Sequence, residues 1–338
     1  MAFEIGLNRW DWRSASSFAA GVVEAESLGI DHAFLPVNPL AVPDPYVLLA
    51  AAALRTDRIG LATLLETPVL RPAAVAAGSI ATVDEVSGGR AMLVYGIGDT
   101  AVRWLGRRPA TIAELAEAVE GARGLLRGGR LEVGAAAPAW LRHARPVPVW
   151  VAAGGPRTLR MAGRAADGVF LRVGTHPANL RIAVEQVHAG AVEAGRDPAD
   201  IGIGIIVHTV RTQEPAEVAA ITRAMAAGFY EYSPALFSQA GLEWRGTAVE
   251  ELKQRIWPDF HHADDLVAAG GLVDFLDDDV AQSFSFSGTT DDVAGQLRSV
   301  LAAVPEARIV VPHPVPLPSP VELGGYQRWL GGELRTRF

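Results

Sequence analysis

Three short stretches combine residue types that could do chemistry. Gly96-Ile97-Gly98-Asp99-Thr100-Ala101 follows directly on the apolar run Ala91–Tyr95 and spells G-x-G-x-x-A. That pattern holds a dinucleotide pyrophosphate against a helix N-terminus. Ala153, Gly154, Gly155 and Pro156 close another apolar run where a helix opens. Backbone N–H groups are unobstructed there and the helix dipole adds positive potential, so an anion such as a phosphate suits the turn. His261, His262, Asp264 and Asp265 ("HHADD") bring metal-binding types together. Only His261 and Asp265 have the i, i+4 spacing that converges on a helix, and two ligands do not make a metal centre. No metal is expected, and the stretch reads as a solvated helix face.

The elements that must position these residues alternate regularly. Strands are expected at Phe3–Leu7, His32–Leu35, Arg58–Leu64, Ala91–Tyr95, Val147–Ala152, Gly168–Arg172, Ile201–Val210 and Arg308–Val311. Amphipathic helices are expected near Ser14–Leu28, Pro45–Leu54, Ala73–Val86, Thr111–Leu126, from Pro156, and near Pro177–Ala194. The strands are β-branched and apolar without strict polar alternation, as strands covered by helices should be. Eight β/α pairs predict a closed (β/α)8 TIM barrel. A single domain over residues 1–338 is expected, with an aromatic and then acidic insertion over residues 229–280. In a Rossmann unit the glycine turn follows the first strand, with an acid about 20 residues on. Here it follows the fourth strand, and Glu114, Glu117 and Glu120 lie on a helix face, so an NAD site is disfavoured.

Net charge is −8, from 38 acidic and 30 basic residues. No basic stripe points to nucleic acid. Cysteine is absent, which excludes disulfides, thiolate metal sites and a cysteine nucleophile. No apolar run approaches the roughly 18 residues of a membrane span. The first residues lack a charged head before an apolar core, so a cytoplasmic protein is expected.

The stretches "RIGLATLLETPVLRPAAVAAGSIATVDEVSGGRAMLVYGIGD", "PVPVWVAAGGPRTLRMAGRAADGVFLRVG" and "FSGTTDDVAGQL" together resemble the bacterial luciferase-like flavin and deazaflavin oxidoreductases. The turns "GIGD" and "AAGGP" look more like the deazaflavin branch, near the methylenetetrahydromethanopterin reductases. The resemblance implies an oxidoreductase using coenzyme F-420, with FMN as the alternative cofactor. It places Gly96, Gly98 and Asp99 against the cofactor, and its phosphate at Ala153, Gly154, Gly155 and Pro156. In "ATLLETP" it implies a bulge with a non-prolyl cis peptide at Leu64–Leu65 supporting the central ring, with Glu66 beside it. Asp99 matches a position that is acidic, and a proton donor, in some relatives; a plain helix N-cap is the other reading. His176 and Asn179 follow the sixth strand and could meet the cofactor, or His176 could simply start a helix.

One departure concerns mechanism. Relatives carry Asp-His after the second strand, where this chain has Val37 and Asn38. Asn38 can hydrogen-bond at a catalytic position but cannot exchange a proton near neutral pH. Trp10 and Trp12 leave the first strand and could wall a substrate pocket, or merely pack. His208 reads as a satisfied core histidine, and Lys253 and Arg255 as solvated or facing an acidic substrate. The leading expectation is a reductase that passes hydride from reduced F-420 to an activated C=C or C=N bond of a small molecule. An FMN-dependent monooxygenase and a non-catalytic cofactor-binding relative are the alternatives. The family implies a homodimer.

Overall fold

The computed structural model describes residues 3–9, 13–132, 134, 137–212, 214–317, 319 and 322–338. Along the first half of the chain run β1 (Glu4–Asn8), α1 (Ala15–Ser27), β2 (His32–Leu35), α2 (Pro45–Ala53), β3 (Gly60–Thr63), α3 (Ala73–Ser87), β4 (Ala91–Tyr95), α4 (Thr100–Trp104) and α5 (Ile112–Leu126). There follow β5 (Val149–Ala153), α6 (Pro156–Ala165), β6 (Gly168–Leu171), α7 (Pro177–Glu193), β7 (Gly202–Val210) and α8 (Pro215–Tyr232). Short helices α9 (Ala235–Gln239), α10 (Val249–Leu252), α11 (Leu266–Gly271) and α12 (Asp278–Gln282) precede β8 (Ser285–Ser287), α13 (Thr290–Ala303), β9 (Ala307–Val315) and α14 (Glu322–Arg328).

Strands β1 to β7 pair in sequence, β7 pairs with β9 and β9 with β1, all in parallel. This closes the eight-stranded barrel expected from the sequence. The short strand β8 was not anticipated; it pairs with the last three residues of β7, His208 to Val210. Three residues sit below the length at which an apolar pattern can be recognised. The insertion also starts later than expected, because α8 runs unbroken to Tyr232. No helix among the described residues is long and apolar enough to cross a membrane.

The period of two along each strand divides the core into two layers. Val149, Val151 and Ala153 of β5 and Leu93 and Tyr95 of β4 face the helices, whereas Trp150, Ala152, Met92 and Val94 fill the barrel with Phe34, Phe170, Ile309 and Val311. Trp150 has room because its neighbours at the same level are glycines. A Cβ on Gly168 would lie 2.3 Å from the indole, and one on Gly202 2.5 Å from it. Gly168→Val is therefore expected to destabilise the fold by about 1–3 kcal/mol through overpacking, read as a lowered urea midpoint. An unchanged midpoint would show that the indole can move aside.

Candidate active site

At the C-terminal mouth of the barrel, adjacent strands end on polar side chains at one level. The register sets His208 of β7 beside His313 of β9 and Ser285 of β8. Asn8 of β1 meets His313 through Nδ2 and Nδ1 at 3.0 Å. His208, His313 and Asn8 each stand two residues past an inward position, Ile206, Val311 and Gly6, so strand alternation turns them inward too. Arg172, two residues past Phe170, extends the arc, and the aromatic ring of Tyr232 lies 6.0 Å from its Cζ. His261 from the insertion covers the arc, its ring 4.6 Å from that of His208.

Several polar atoms of this arc are buried without a partner: Asn8 Oδ1, His208 Nδ1, His261 Nδ1 and Ser285 Oγ. Each such atom costs about 1–3 kcal/mol, and their gathering at one barrel end is the signature of a surface shaped for a polar ligand. His208 is thus not the satisfied core histidine expected from its apolar strand. Burial holds His261 down to about 3, helped by the Arg172 charge. Burial and Arg172 likewise bring His313 to about 3, and burial followed by the nearby His261 pushes His208 well below the usual imidazole range. All three are neutral near pH 7. Because His261 Nε2 contacts the Met225 carbonyl oxygen at 2.9 Å, Nε2 carries the proton and Nδ1 is left as a lone pair.

The facing half of the mouth is apolar. Leu64 N–H still donates to the Leu35 carbonyl on β2, whereas Glu66 N–H donates to Val94 on β4 and Gly96 N–H to Glu66. Between them the Leu64–Leu65 peptide is cis, as the resemblance implies. Leu64 joins the barrel interior and Leu65 packs on it. A Cβ on Gly96 would lie 2.5 Å from Leu65 Cδ2, so glycine there admits the leucine side chain. Gly98 has φ +76°, which favours glycine. The Glu66 carboxylate is fully buried and accepts hydrogen bonds from the Tyr46 hydroxyl, the Thr67 N–H (both 2.9 Å) and Arg71 (3.4 Å). Burial raises its pKa. Its charge-bearing end braces the bulge against α2.

Next to this half lies the start of α6. The Ala153 carbonyl accepts the Arg172 N–H at 2.8 Å, and a Cβ on Gly154 would meet the Arg172 carbonyl oxygen at 2.4 Å. Gly155, by contrast, faces open space. It is the N-cap of α6, with Pro156 at the helix start, no side-chain cap and no acidic residue in the first turn. The first-turn N–H groups stay available to an anion.

Asp99 precedes α4 but its carboxylate makes no capping hydrogen bond. The N-cap reading therefore falls. One carboxylate oxygen accepts from Arg103 and the other from the Tyr232 hydroxyl at the end of α8. The insertion is tied to α4 a second time, through Thr100 Oγ1 and His262 Nδ1 at 3.2 Å, and His262 Nδ1 also meets Asp259 at 2.8 Å. Burial acts to raise the Asp259 carboxyl, but the hydrogen bond from His262 and the charges of His262 and His261 bring it lower overall.

The "HHADD" stretch is therefore no helix face, although His262, Asp264 and Asp265 are exposed as expected. His261 and His262 lie in a turn before α11, His261 is buried, and Asp265 caps α11 through the Ala268 N–H. A turn from cis-Pro258 carries these residues over the barrel, which no helical periodicity could have announced. Among the described residues no group of three His, Cys, Asp or Glu side chains could hold a metal. His176 caps α7, its Nδ1 accepting from the Ala178 N–H at 3.2 Å, and burial lowers its pKa. Asn179 is buried, donating to the Val173 carbonyl at 3.4 Å with Oδ1 unpaired. Asn38 Oδ1 accepts from the Leu40 N–H at 3.1 Å, closing a local turn. Lys253 is paired with Glu231 and Glu250. Trp10 and Trp12 lie outside the described residues. Sequence reading passed over Asn8, Arg172, Tyr232, Asp259 and His313; for Asn8, Arg172 and His313 the available signal was a polar residue in the inward phase of a strand, just past its apolar run.

Known proteins share this sequence pattern and this barrel. A family model described as "Luciferase-like monooxygenase" matches residues 11–305. A 5,10-methylenetetrahydromethanopterin reductase from Methanolobus tindarius is 30% identical over 290 residues, covering 82% of this chain and 84% of that protein. An F-420-dependent glucose-6-phosphate dehydrogenase from Nocardia farcinica is 35% identical over 201 residues, 52% of this chain and 58% of that one. The solved structure of the coenzyme F-420-dependent tetrahydromethanopterin reductase from Methanopyrus kandleri superposes with a TM-score of 0.79 at 23% identity, covering 100% of both chains. The match to the family model over most of the sequence, and the reductase-like relative over four-fifths of it, establish that the chain belongs to the luciferase-like family.

Proposed function

We propose that the protein is a coenzyme F-420-dependent oxidoreductase, exchanging a hydride with an activated C=C or C=N bond of a small molecule. The observation that carries this reading is the two-sided mouth: an apolar shelf of Leu64, Leu65 and Gly96 faces an arc of buried, unpartnered polar atoms on Asn8, His208, His261 and Ser285. Such a surface suits a planar ring with polar edges. The relatives named for F-420 point to a deazaflavin as that ring.

The deazaflavin, when bound, supplies the hydride-accepting and hydride-donating carbon. Leu64 and Leu65 support the ring, with Gly96 and Gly98 permitting close approach. The first turn of α6, at Gly155 and Pro156, receives the phosphate. Asp99 holds and returns the proton that accompanies the hydride, through the carboxylate oxygen shared with the Tyr232 hydroxyl. Asn38 stabilises the loop after β2 and takes no part in proton exchange. The insertion, anchored by His261 and His262, keeps water from the reacting face.

Fluorescence titration of the purified protein with oxidised F-420, and separately with FMN, tests the reading. F-420 is expected to bind at least about tenfold more tightly than FMN, and Gly155→Trp to weaken it by about tenfold or more by filling the open side of the α6 turn. Preferential FMN binding would favour a monooxygenase, the activity in the matched family's description. Binding of neither would revive a relative without this chemistry.

A further inference from the structure

We propose that Arg172 recognises an anionic group of the carboxylate class on the substrate, at the polar half of the barrel mouth. This rests on the F-420 reading above and names the substrate class for that site. Arg172 is half-buried, its backbone fixed by the hydrogen bond to Ala153 and its guanidinium near the Tyr232 ring. Among the described residues no carboxylate pairs with it, although Arg103, which shares Asp99 with the Tyr232 hydroxyl, is paired. A guanidinium withdrawn from water without a counter-ion is costly, and a ligand anion removes that cost.

The groups around Arg172 leave this vacancy for a ligand. His208, His261 and His313 sense its charge and are neutral near pH 7. Asp99 already accepts from Arg103 and Tyr232, and Asp259 from His262. No neighbouring carboxylate is thus free to turn to Arg172. The planar fork of a guanidinium matches a carboxylate through two parallel N–H donors. The lone pair of His261 Nδ1, within reach of the Arg172 charge, and that of Asn8 Oδ1 further along the arc await an N–H or O–H donor from the same ligand assembly. The cofactor carries acidic groups of its own, so the test must separate the two sources. The start of α6 already offers the cofactor's phosphate a place, whereas Arg172 stands over Tyr232, at the end where Asp99 handles the proton.

The probes are crotonate and its neutral isostere crotonamide, titrated calorimetrically into the F-420-loaded protein. Crotonate is expected to bind and crotonamide to bind at least about tenfold more weakly. Arg172→Gln is expected to weaken crotonate about ten- to hundredfold, leaving crotonamide and F-420 unchanged, and Arg172→Lys to recover part of the loss. Equal crotonate affinity in wild type and Arg172→Gln, or no preference for crotonate over crotonamide, overturns the proposal. So does a matching loss of F-420 affinity in Arg172→Gln, which assigns the cation to the cofactor. Should the wild-type protein fail to bind F-420, the functional reading fails alone. The same pair of probes in the cofactor-free protein then decides whether Arg172 selects carboxylates.

Discussion

Replacing Asp99 by Asn is expected to lower kcat with reduced F-420 by about a hundredfold or more, with F-420 affinity held within about threefold. The substitution keeps the shape of the side chain and one acceptor for Tyr232 or Arg103, but removes the carboxyl proposed to exchange the proton. Asp99 sits where α4 meets the insertion, and its carboxylate makes no capping hydrogen bond, so the substitution leaves the backbone of α4 as it is and weakens only the side-chain ion pair with Arg103. The second tie between α4 and the insertion, Thr100 to His262, remains intact. Tyr232→Phe is expected to cost less, about tenfold, because Asp99 stays while the hydrogen bond that orients it is lost. Single-turnover kinetics separate the chemical step from binding. Unchanged kcat in Asp99→Asn, with a lowered melting temperature, would reduce Asp99 to a brace for α4 and leave the proton to another group.

The barrel was legible because eight strands carry apolar runs of four to nine residues, each long enough to show its period. The cis peptide at Leu64–Leu65 was legible only through the family resemblance, since it does not follow from periodicity, whereas the open turn at Gly155 could be read from glycines placed where a helix opens. The polar arc was half visible. His208 could be seen in its strand, but whether its ring was satisfied depended on His313 and Ser285, 105 and 77 residues further along the chain, which only register brings alongside. Tyr232 and His261 were illegible for a different reason. They sit at the end of α8 and in an irregular turn, and what they contact is set by how the insertion folds back over the barrel. Asp99 could be read as either acid or cap because both roles use the same residue before the same helix; its observed partners, Arg103 and Tyr232, remove the capping hydrogen bond and leave the acid role as a proposal.

Acid is expected to weaken the fold through the histidines of the mouth, and His261→Phe to reverse its stability relative to wild type as pH falls. Burial holds His261 down to about 3 in the native protein, against about 6.5 for a free imidazole. Between those values the unfolded chain binds a proton that the native His261 does not, so stability falls as pH drops, by about 1.4 kcal/mol per pH unit per histidine. From pH 7 to 5 that amounts to about 2 kcal/mol for His261 alone, and His208, buried beside it, acts in the same direction. Glu66 and Glu231, whose pKa values burial raises, act oppositely as pH falls toward their ordinary range. They are common to both proteins and cancel in the comparison. At pH 7 His261→Phe keeps the ring packing on Phe229 and His208 but leaves the Met225 carbonyl without its donor, a loss of about 1 kcal/mol. Its stability then declines less steeply, and the two proteins are expected to cross near pH ~5.5. Urea midpoints taken at half-unit intervals from pH 7 to 5 measure this directly. A difference that stays constant over that interval would mean that native His261 takes up its proton at the same pH as in the unfolded chain. In that case Arg172 would stand beside a second cation once the pH fell through the ordinary imidazole range, and the neutral arc that leaves it to a ligand anion would hold only above it.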